Sequence, residues 1–140
     1  MDSIELVRQR FAKDIFATET TGVEILDSKP YYSRCAMKIG DRHRNAMGTV
    51  MGGAIFTLAD FAFAVAANAE SLQTVSASSS ITYLSSGRGD SLFAEARCLK
   101  DGRTTCFFEV TVSDESGKAV AKVSTMGVKI PKDNHEKQKE

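Results

Sequence analysis

One carboxylate, Asp60, stands out because it lies inside a long apolar run. Its neighbours are Leu58, Ala59, Phe61 and Ala62. A buried and isolated carboxylate is costly, so it must be paired, protonated or functional. Desolvation raises the pKa of such a group, which suits a general base. The alternative is a partly exposed aspartate at a gap in the packing, or one bonded to a neighbouring loop.

Two glycines, Gly52 and Gly53, precede the apolar run at the point where a helix would begin. A helix N-terminus leaves about four amide hydrogens unpaired and carries a partial positive charge. Glycine lets another group approach that backbone closely. The pair therefore indicates an oxyanion site, and a tight turn with a glycine cap is an equal alternative.

The apolar run itself, Ala54 to Asn68, is too long for a strand, is rich in alanine and lacks proline. These features predict a helix, and apolar residues on every side of it predict that it is buried. A first amphipathic helix is predicted over Ser3 to Phe16, because four apolar residues recur there at helical spacing: Ile4, Val7, Phe11 and Ile15.

Six segments have the residue pattern of strands, two before the central helix and four after it. Their predicted bounds are Thr21 to Asp27, Tyr31 to Ile39, Thr74 to Leu84, Ser91 to Lys100, Thr104 to Ser113 and Lys118 to Ile130. This order predicts an α+β fold in which a curved antiparallel sheet wraps around the long helix. We expect an N-terminal helix over 1–17 packed on a domain over 18–131, with a flexible charged tail over 132–140.

Composition excludes several classes of function. The 18 basic and 18 acidic residues balance, so no charge excess indicates nucleic acid or a membrane surface as a partner. Three cysteines, Cys35, Cys98 and Cys106, cannot all pair and have no metal-type spacing, so we expect a reducing compartment and no metal site. A nucleophilic role for Cys35 is a minor alternative. The N-terminus lacks the apolar core of a signal peptide, and we expect a cytoplasmic protein.

The spacing between the two candidate groups has a geometric consequence. Gly52 and Asp60 are eight residues apart, which is about 12 Å along a helix at ~1.5 Å per residue. One substrate carbonyl cannot contact both groups on a single helix. If they act together, two antiparallel helices must bring Gly52 of one subunit near Asp60 of the other, in an active site shared across a two-fold dimer.

The motif Asn45, Gly48, Gly52-Gly53 and Thr57-Leu58-Ala59-Asp60 resembles that of the hotdog-fold thioesterases, specifically the phenylacetic-acid-degradation (PaaI-like) branch. Later segments also fit: Ile81-Thr82-Tyr83-Leu84, Gly89-Asp90-Ser91-Leu92, Ala94-Glu95-Ala96 and Gly102-Arg103. The resemblance covers nearly the whole chain beyond the first helix. It implies a hotdog fold, a cofactor-free hydrolysis of acyl-CoA to a free acid and CoA, and a homodimer that pairs into a homotetramer.

The resemblance also implies roles for individual residues. Asp60 would activate water or attack the thioester carbonyl, and the Gly52 amide would polarise that carbonyl. Asn45 would orient the nucleophile or the substrate. Two residues beside the motif would contact substrate, Met51 and Gly53. CoA phosphates would meet basic residues near strand ends, for which Arg88 and Arg103 are candidates, although either could equally be a solvated turn residue.

One departure from the family pattern concerns the histidine before the two glycines, which is Met51 here. Methionine donates no proton and accepts hydrogen bonds only weakly. A non-catalytic acyl-CoA-binding hotdog protein is therefore the alternative to a thioesterase. A hydratase or dehydratase is less favoured, because the two histidines, His43 and His135, lie outside the motif position. An acyl-carrier-protein substrate also stays open.

Overall fold

The computed structural model describes residues 3–131, so the predicted tail over 132–140 lies outside the described residues. Six antiparallel strands form one sheet in the order β1-β2-β4-β5-β6-β3. The strands are β1 Val23–Lys29, β2 Tyr32–Lys38, β3 Thr74–Tyr83, β4 Ser91–Asp101, β5 Thr105–Asp114 and β6 Ala119–Lys129. The helices are α1 Ser3–Phe11 and α2 Gly52–Ala67. The predicted α+β architecture is confirmed.

Helix α2 lies against the inner face of the sheet and packs mainly on β2 and β4. Its buried side presents large apolar residues, including Leu58, Phe61 and Val65, which are at most 2% exposed. The facing strand β4 presents the small residues Ala94 and Ala96, both fully buried, which allows the helix to lie close. Burial of each large side chain contributes about 1.5–3 kcal/mol. Within residues 3–131, no helix has the length and apolar character needed to cross a membrane.

One side of α2 is not covered by its own sheet. Residues three or four apart form a half-exposed stripe along the helix, which we call the open stripe: Phe56, Thr57, Asp60, Ala64 and Ala67. The prediction of a helix buried on every side is therefore wrong within one protomer. Strand β3 is similarly uncovered, because it is an edge strand and eight of its ten residues are exposed. The open stripe and β3 need another surface.

The first helix is shorter than predicted. It ends at Phe11 instead of Phe16, and a separate π-helical segment follows over Phe16–Thr20. The Phe16 carbonyl accepts hydrogen bonds from both the amide and the hydroxyl of Thr21, at 2.9 and 2.6 Å. Threonine hydroxyls compete in this way with regular helical bonding, and the chain turns. Regular α-helical bonding breaks earlier, at residues 12–14, where the Asp14 amide donates to the Phe11 carbonyl at 3.0 Å. Ile15 lies at the surface, 50% exposed.

Helix α1 is anchored to the domain by two arginines. Arg8 donates from Nε and Nη2 to the Ile25 carbonyl of edge strand β1, at 3.1 and 2.9 Å. Arg10 donates to the Ala69 and Asn68 carbonyls just beyond α2, at 2.5 and 3.2 Å. The Arg10 cation is favourable at the C-terminus of α2 because this is the negative end of the helix dipole. The β1 edge is thus covered by α1, whereas the β3 edge is open.

Candidate active site

Asp60 lies at the middle of the open stripe of α2 and is half-buried. Within residues 3–131, its carboxylate has no hydrogen-bond or ion-pair partner. Burial raises the pKa of Asp60, and the negative charge of Asp14 raises it further. An unpaired carboxylate with a raised pKa is suited to accept a proton near neutral pH.

The first two residues of α2, Gly52 and Gly53, offer free amide hydrogens. The preceding residue, Met51, makes no side-chain cap to the helix. Its carbonyl accepts the amides three and four residues on, those of Ala54 and Ile55, at 3.0 and 3.2 Å. No acceptor among the described residues reaches the Gly52 or Gly53 N–H. Two donors therefore point out of an uncapped helix N-terminus, where the helix dipole also favours negative charge.

Tyr83 contacts the same helix start, a contact that the sequence did not predict. Its hydroxyl donates to the Gly52 carbonyl at 2.9 Å. A Cβ atom at position 52 would lie 2.9 Å from that hydroxyl oxygen. A glycine is therefore required at position 52 while the Tyr83 ring stays in place, and the end of β3 fixes the first turn of α2.

The Asn45 side chain makes its hydrogen bonds within its own loop. Its side-chain oxygen accepts the Met47 and Thr49 amides at 3.0 and 3.2 Å, and its side-chain nitrogen donates to the Thr49 hydroxyl at 2.9 Å. No hydrogen bond joins Asn45 to Asp60 in the described part of the chain. In one protomer Asn45 orders the loop that leads to Met51.

His43 is a buried structural residue that positions Met51. Its Nδ1 accepts the Gly40 amide at 2.9 Å, and its Nε2 lies 2.7 Å from the Thr21 carbonyl. A carbonyl only accepts, so Nε2 carries the proton. The His43 carbonyl accepts the Met51 amide at 2.7 Å. Because both ring nitrogens are occupied, His43 does not replace the histidine that the family has at position 51.

The two candidate arginines lie at opposite ends of β4. Arg88 precedes this strand and Arg103 follows it, and its 11 residues span about 36 Å at ~3.3 Å per residue. Arg88 lies beside Arg44 in a small polar cavity of about 210 Å³, and the Asp114 carboxylate accepts its amide at 2.9 Å. Within one protomer, Arg88 and Arg103 therefore cannot both contact the phosphates of one CoA molecule.

Cys35 is excluded as a nucleophile. It is fully buried on β2, and that burial raises the pKa of its thiol to about 12. The thiolate is the nucleophilic form, so this cysteine is inert at neutral pH.

Known proteins share both the sequence and the fold. The sequence model of the thioesterase superfamily matches residues 47–121. The acyl-coenzyme A thioesterase PaaI of Escherichia coli is 30% identical over 101 residues, which are 71% of this chain and 72% of PaaI. The smu.793 protein of Streptococcus mutans, solved with acetyl CoA bound, is 32% identical, with a TM-score of 0.70 over 76% of this chain and 87% of that chain.

The solved structure of E. coli PaaI gives a TM-score of 0.85 over 92% of this chain and 94% of that chain. At 24% identity in that superposition, this likeness concerns the fold, and it agrees with the sheet wrapped around α2. The family match covers more than half of the chain and includes Gly52, Gly53 and Asp60. The chain therefore belongs to the thioesterase superfamily, as a hotdog-fold member of its PaaI-like branch.

Proposed function

We propose that this protein hydrolyses acyl-CoA thioesters to a free acid and CoA. The observation that carries the proposal is Asp60, a half-buried carboxylate with a raised pKa and no partner among residues 3–131. Such a group is costly to maintain unless a ligand or a reaction uses it. Membership of the thioesterase superfamily supports the same reaction, as does the similarity to a protein named acyl-coenzyme A thioesterase.

In the proposed reaction, the Asp60 carboxylate takes a proton from water while the water oxygen attacks the thioester carbonyl carbon. The carbonyl oxygen becomes negative and accepts a hydrogen bond from the Gly52 amide. The C–S bond then breaks, and the CoA thiolate takes up a proton. In the alternative route, the carboxylate itself attacks the thioester carbonyl carbon, the C–S bond breaks, and the CoA thiolate leaves, so that a mixed anhydride forms, which water hydrolyses. Heavy oxygen found in Asp60 after a single turnover in heavy-oxygen water would identify this second route, because only attack of water on the Asp60 carbon of the anhydride places it there.

A two-fold dimer supplies the geometry that one protomer lacks. Gly52 and Asp60 belong to one unbroken helix, about 12 Å apart along its axis. Pairing of β3 with β3 of a second copy would extend the sheet and cover the open stripes of both helices. The Gly52 amide would then act with Asp60 of the partner subunit. Pairing of two such dimers into a homotetramer extends the same proposal.

CoA needs positive charge for its phosphates, and the proposed dimer supplies it from two subunits. Antiparallel pairing of the two β3 strands reverses the strand directions of the second sheet relative to those of the first. Arg88 of one subunit and Arg103 of the partner subunit then lie at the same end of the joined sheet. The acetyl CoA bound by the smu.793 protein supports this class of ligand.

Met51 favours a second candidate, a non-catalytic acyl-CoA-binding protein. It occupies the position of the family histidine and can donate no proton. In that case the Gly52 and Gly53 amides would hold the thioester carbonyl, and Asp60 would not act as a base.

An assay with a panel of thioesters separates these candidates. The purified protein is mixed with acetyl-, hexanoyl-, phenylacetyl- and palmitoyl-CoA, and a thiol reagent detects free CoA. A protein sample without thioester is the control, because the cysteines of the chain also react with the reagent. We expect release of CoA above the uncatalysed rate for at least one thioester. Calorimetric binding without release for every thioester would instead support the binding protein and overturn the hydrolase.

A further inference from the structure

An open cavity of about 510 Å³ lies between the start of α2 and the π-helical segment. This volume falls in the range of about 300–1,000 Å³ that is typical of small-molecule sites. Most of its lining surface is apolar. The residues that line it are Phe16, Thr20, Thr21, Arg42, His43, Met51, Gly53, Ala54 and Thr57.

Two large apolar side chains face this cavity without being covered. Phe16 is 61% exposed and Met51 is 50% exposed. Exposed apolar residues gathered at a concavity are typical of a ligand site. The cavity therefore fits a hydrocarbon group, which would cover both side chains.

The position of the cavity links it to the proposed reaction. Its wall includes Gly53, whose amide is one of the two free donors, and Thr57, which lies one turn before Asp60 on the same side of α2. A thioester carbonyl held at the amides would direct its acyl chain into this cavity. The CoA portion would extend away from it, towards the sheet rim.

Two side chains of the cavity wall have hydrogen-bond donors that no described residue uses, the hydroxyl of Thr20 and the guanidinium of Arg42, and only Arg42 is charged. The hydroxyls of Thr21 and Thr57 and both ring nitrogens of His43 are engaged within the protein. The Arg42 guanidinium has no hydrogen-bond or ion-pair partner within residues 3–131. It lies against Gly22, where a Cβ atom would be 2.7 Å from Nη2. Arg42 is thus an exposed and unpaired cation at the edge of an apolar cavity, where a carboxylate is its natural partner.

We propose that this cavity is the acyl subsite and that it takes acyl groups with a hydrocarbon body and a carboxylate at the far end. Arg42 is the residue that selects them, by pairing with that carboxylate. The inference rests on the proposed function, because it assigns the acyl half of the same substrate.

Two thioesters with the same number of carbons test it. Hexanoyl-CoA and adipoyl-CoA differ in the distal carboxylate, and kcat/KM is measured for the wild type and for Arg42→Gln. The matched control is Arg34→Gln, which removes an arginine from the outer face of the sheet, where it packs on Phe93. We expect the wild type to prefer adipoyl-CoA by about fivefold or more. Arg42→Gln should abolish the preference by lowering kcat/KM for adipoyl-CoA, as expected for the loss of one charged hydrogen bond, whereas Arg34→Gln should retain the preference.

A wild type that hydrolyses hexanoyl-CoA as well as adipoyl-CoA overturns the inference and leaves the proposed function standing. A preference that survives in Arg42→Gln overturns it too. If neither thioester is hydrolysed, the dissociation constants of the same two ligands decide the acyl subsite by the same comparison, and the wider thioester panel decides the proposed function separately. High ionic strength should reduce the adipoyl preference, because an open ion pair is screened by salt.

Discussion

The Tyr83 hydroxyl donates a 2.9 Å hydrogen bond to the carbonyl of Gly52. The last residue of edge strand β3 therefore fixes the residue whose amide is the proposed oxyanion donor. A partner subunit paired along β3 would therefore lie next to the Tyr83–Gly52 contact and to the candidate active site. In the proposed dimer, assembly and catalysis would thus both depend on β3.

This contact makes Gly52 intolerant of a side chain. In Gly52→Ala, the new Cβ atom would lie 2.9 Å from the Tyr83 hydroxyl oxygen and 3.0 Å from its ring carbon. We expect Gly52→Ala to lower the free energy of unfolding by about 1–3 kcal/mol through overpacking. The double variant Gly52→Ala/Tyr83→Ala should recover part of that loss relative to Tyr83→Ala alone. Equal losses in both backgrounds, measured by urea unfolding, would show that the Tyr83 contact is not the cause.

The pH dependence of turnover should reflect the charge of Asp14. Burial and the Asp14 carboxylate both raise the pKa of Asp60, and a general base works only when deprotonated. Turnover therefore rises with pH as Asp60 loses its proton. Asp14→Asn removes a negative charge, lowers the pKa of Asp60 and moves the rising limb of kcat/KM to lower pH. Glu19→Gln, a change at an exposed acid of the nearby π-helical segment, is the control and should leave the limb in place. If the rising limb of the kcat/KM profile stays at the same pH in Asp14→Asn, the proposed effect of the Asp14 charge on Asp60 is contradicted.

The open stripe of α2 should be buried in the dimer. Ala64 is half-buried in the protomer and lies one turn after Asp60. Ala64→Glu would bury an unpaired charge at the interface, which is strongly unfavourable. We expect this variant to be monomeric in analytical ultracentrifugation and to lose at least about tenfold in kcat. The matched change Ala12→Glu, at an exposed turn after α1, should leave both properties unchanged, and a dimeric Ala64→Glu would argue against an interface on this stripe.

A shared active site predicts complementation between two inactive variants. Gly52→Pro removes the amide donor, and the preceding Met51 already has the extended conformation, φ −62° and ψ 136°, that a residue before proline requires. Its Cβ would also displace the Tyr83 hydroxyl, which would lie 2.9 Å away, so folding and dimerisation of this variant are verified first. Mixed with Asp60→Asn, it can form heterodimers with one intact site. We expect activity to return towards about a quarter of the wild-type value after random subunit exchange. No recovery, with exchange demonstrated by labelled subunits, would contradict the shared site.

Local sequence patterns predicted most of the elements of this fold. A long apolar run that contains only two polar residues, Thr57 and Asp60, before Asn68 predicted α2. The strands begin and end within two residues of their predicted bounds, because alternating burial follows directly from strand geometry. The first helix was overextended to Phe16 because apolar spacing continues through Ile15. The turn at residues 12–14 that ends α1, in which the Asp14 amide donates to the Phe11 carbonyl, leaves no trace in that spacing.

The candidate site was predicted only where a single residue is chemically unusual in its own segment. Asp60 is charged among apolar neighbours, and Gly52 precedes a helix, so both were identified. Tyr83 and Asp14 were missed, because their contacts cross between distant segments and neither residue is unusual locally. The separation of Arg88 and Arg103 depends on the direction of β4, which becomes apparent only when the strand is placed in its sheet.

Measurement of Asp60→Asn tests the central claim most directly. The substitution keeps the side-chain shape and removes the proton acceptor, and the same change at the exposed Asp41 is the control. With a thioester that the wild type hydrolyses, we expect Asp60→Asn to lose about 10²–10⁴-fold in kcat, with an unchanged dimer and a thermal midpoint no lower than that of the wild type, because a costly buried charge is removed. Asp41→Asn should retain wild-type kcat. A folded, dimeric Asp60→Asn variant that releases CoA at the wild-type rate would contradict the account.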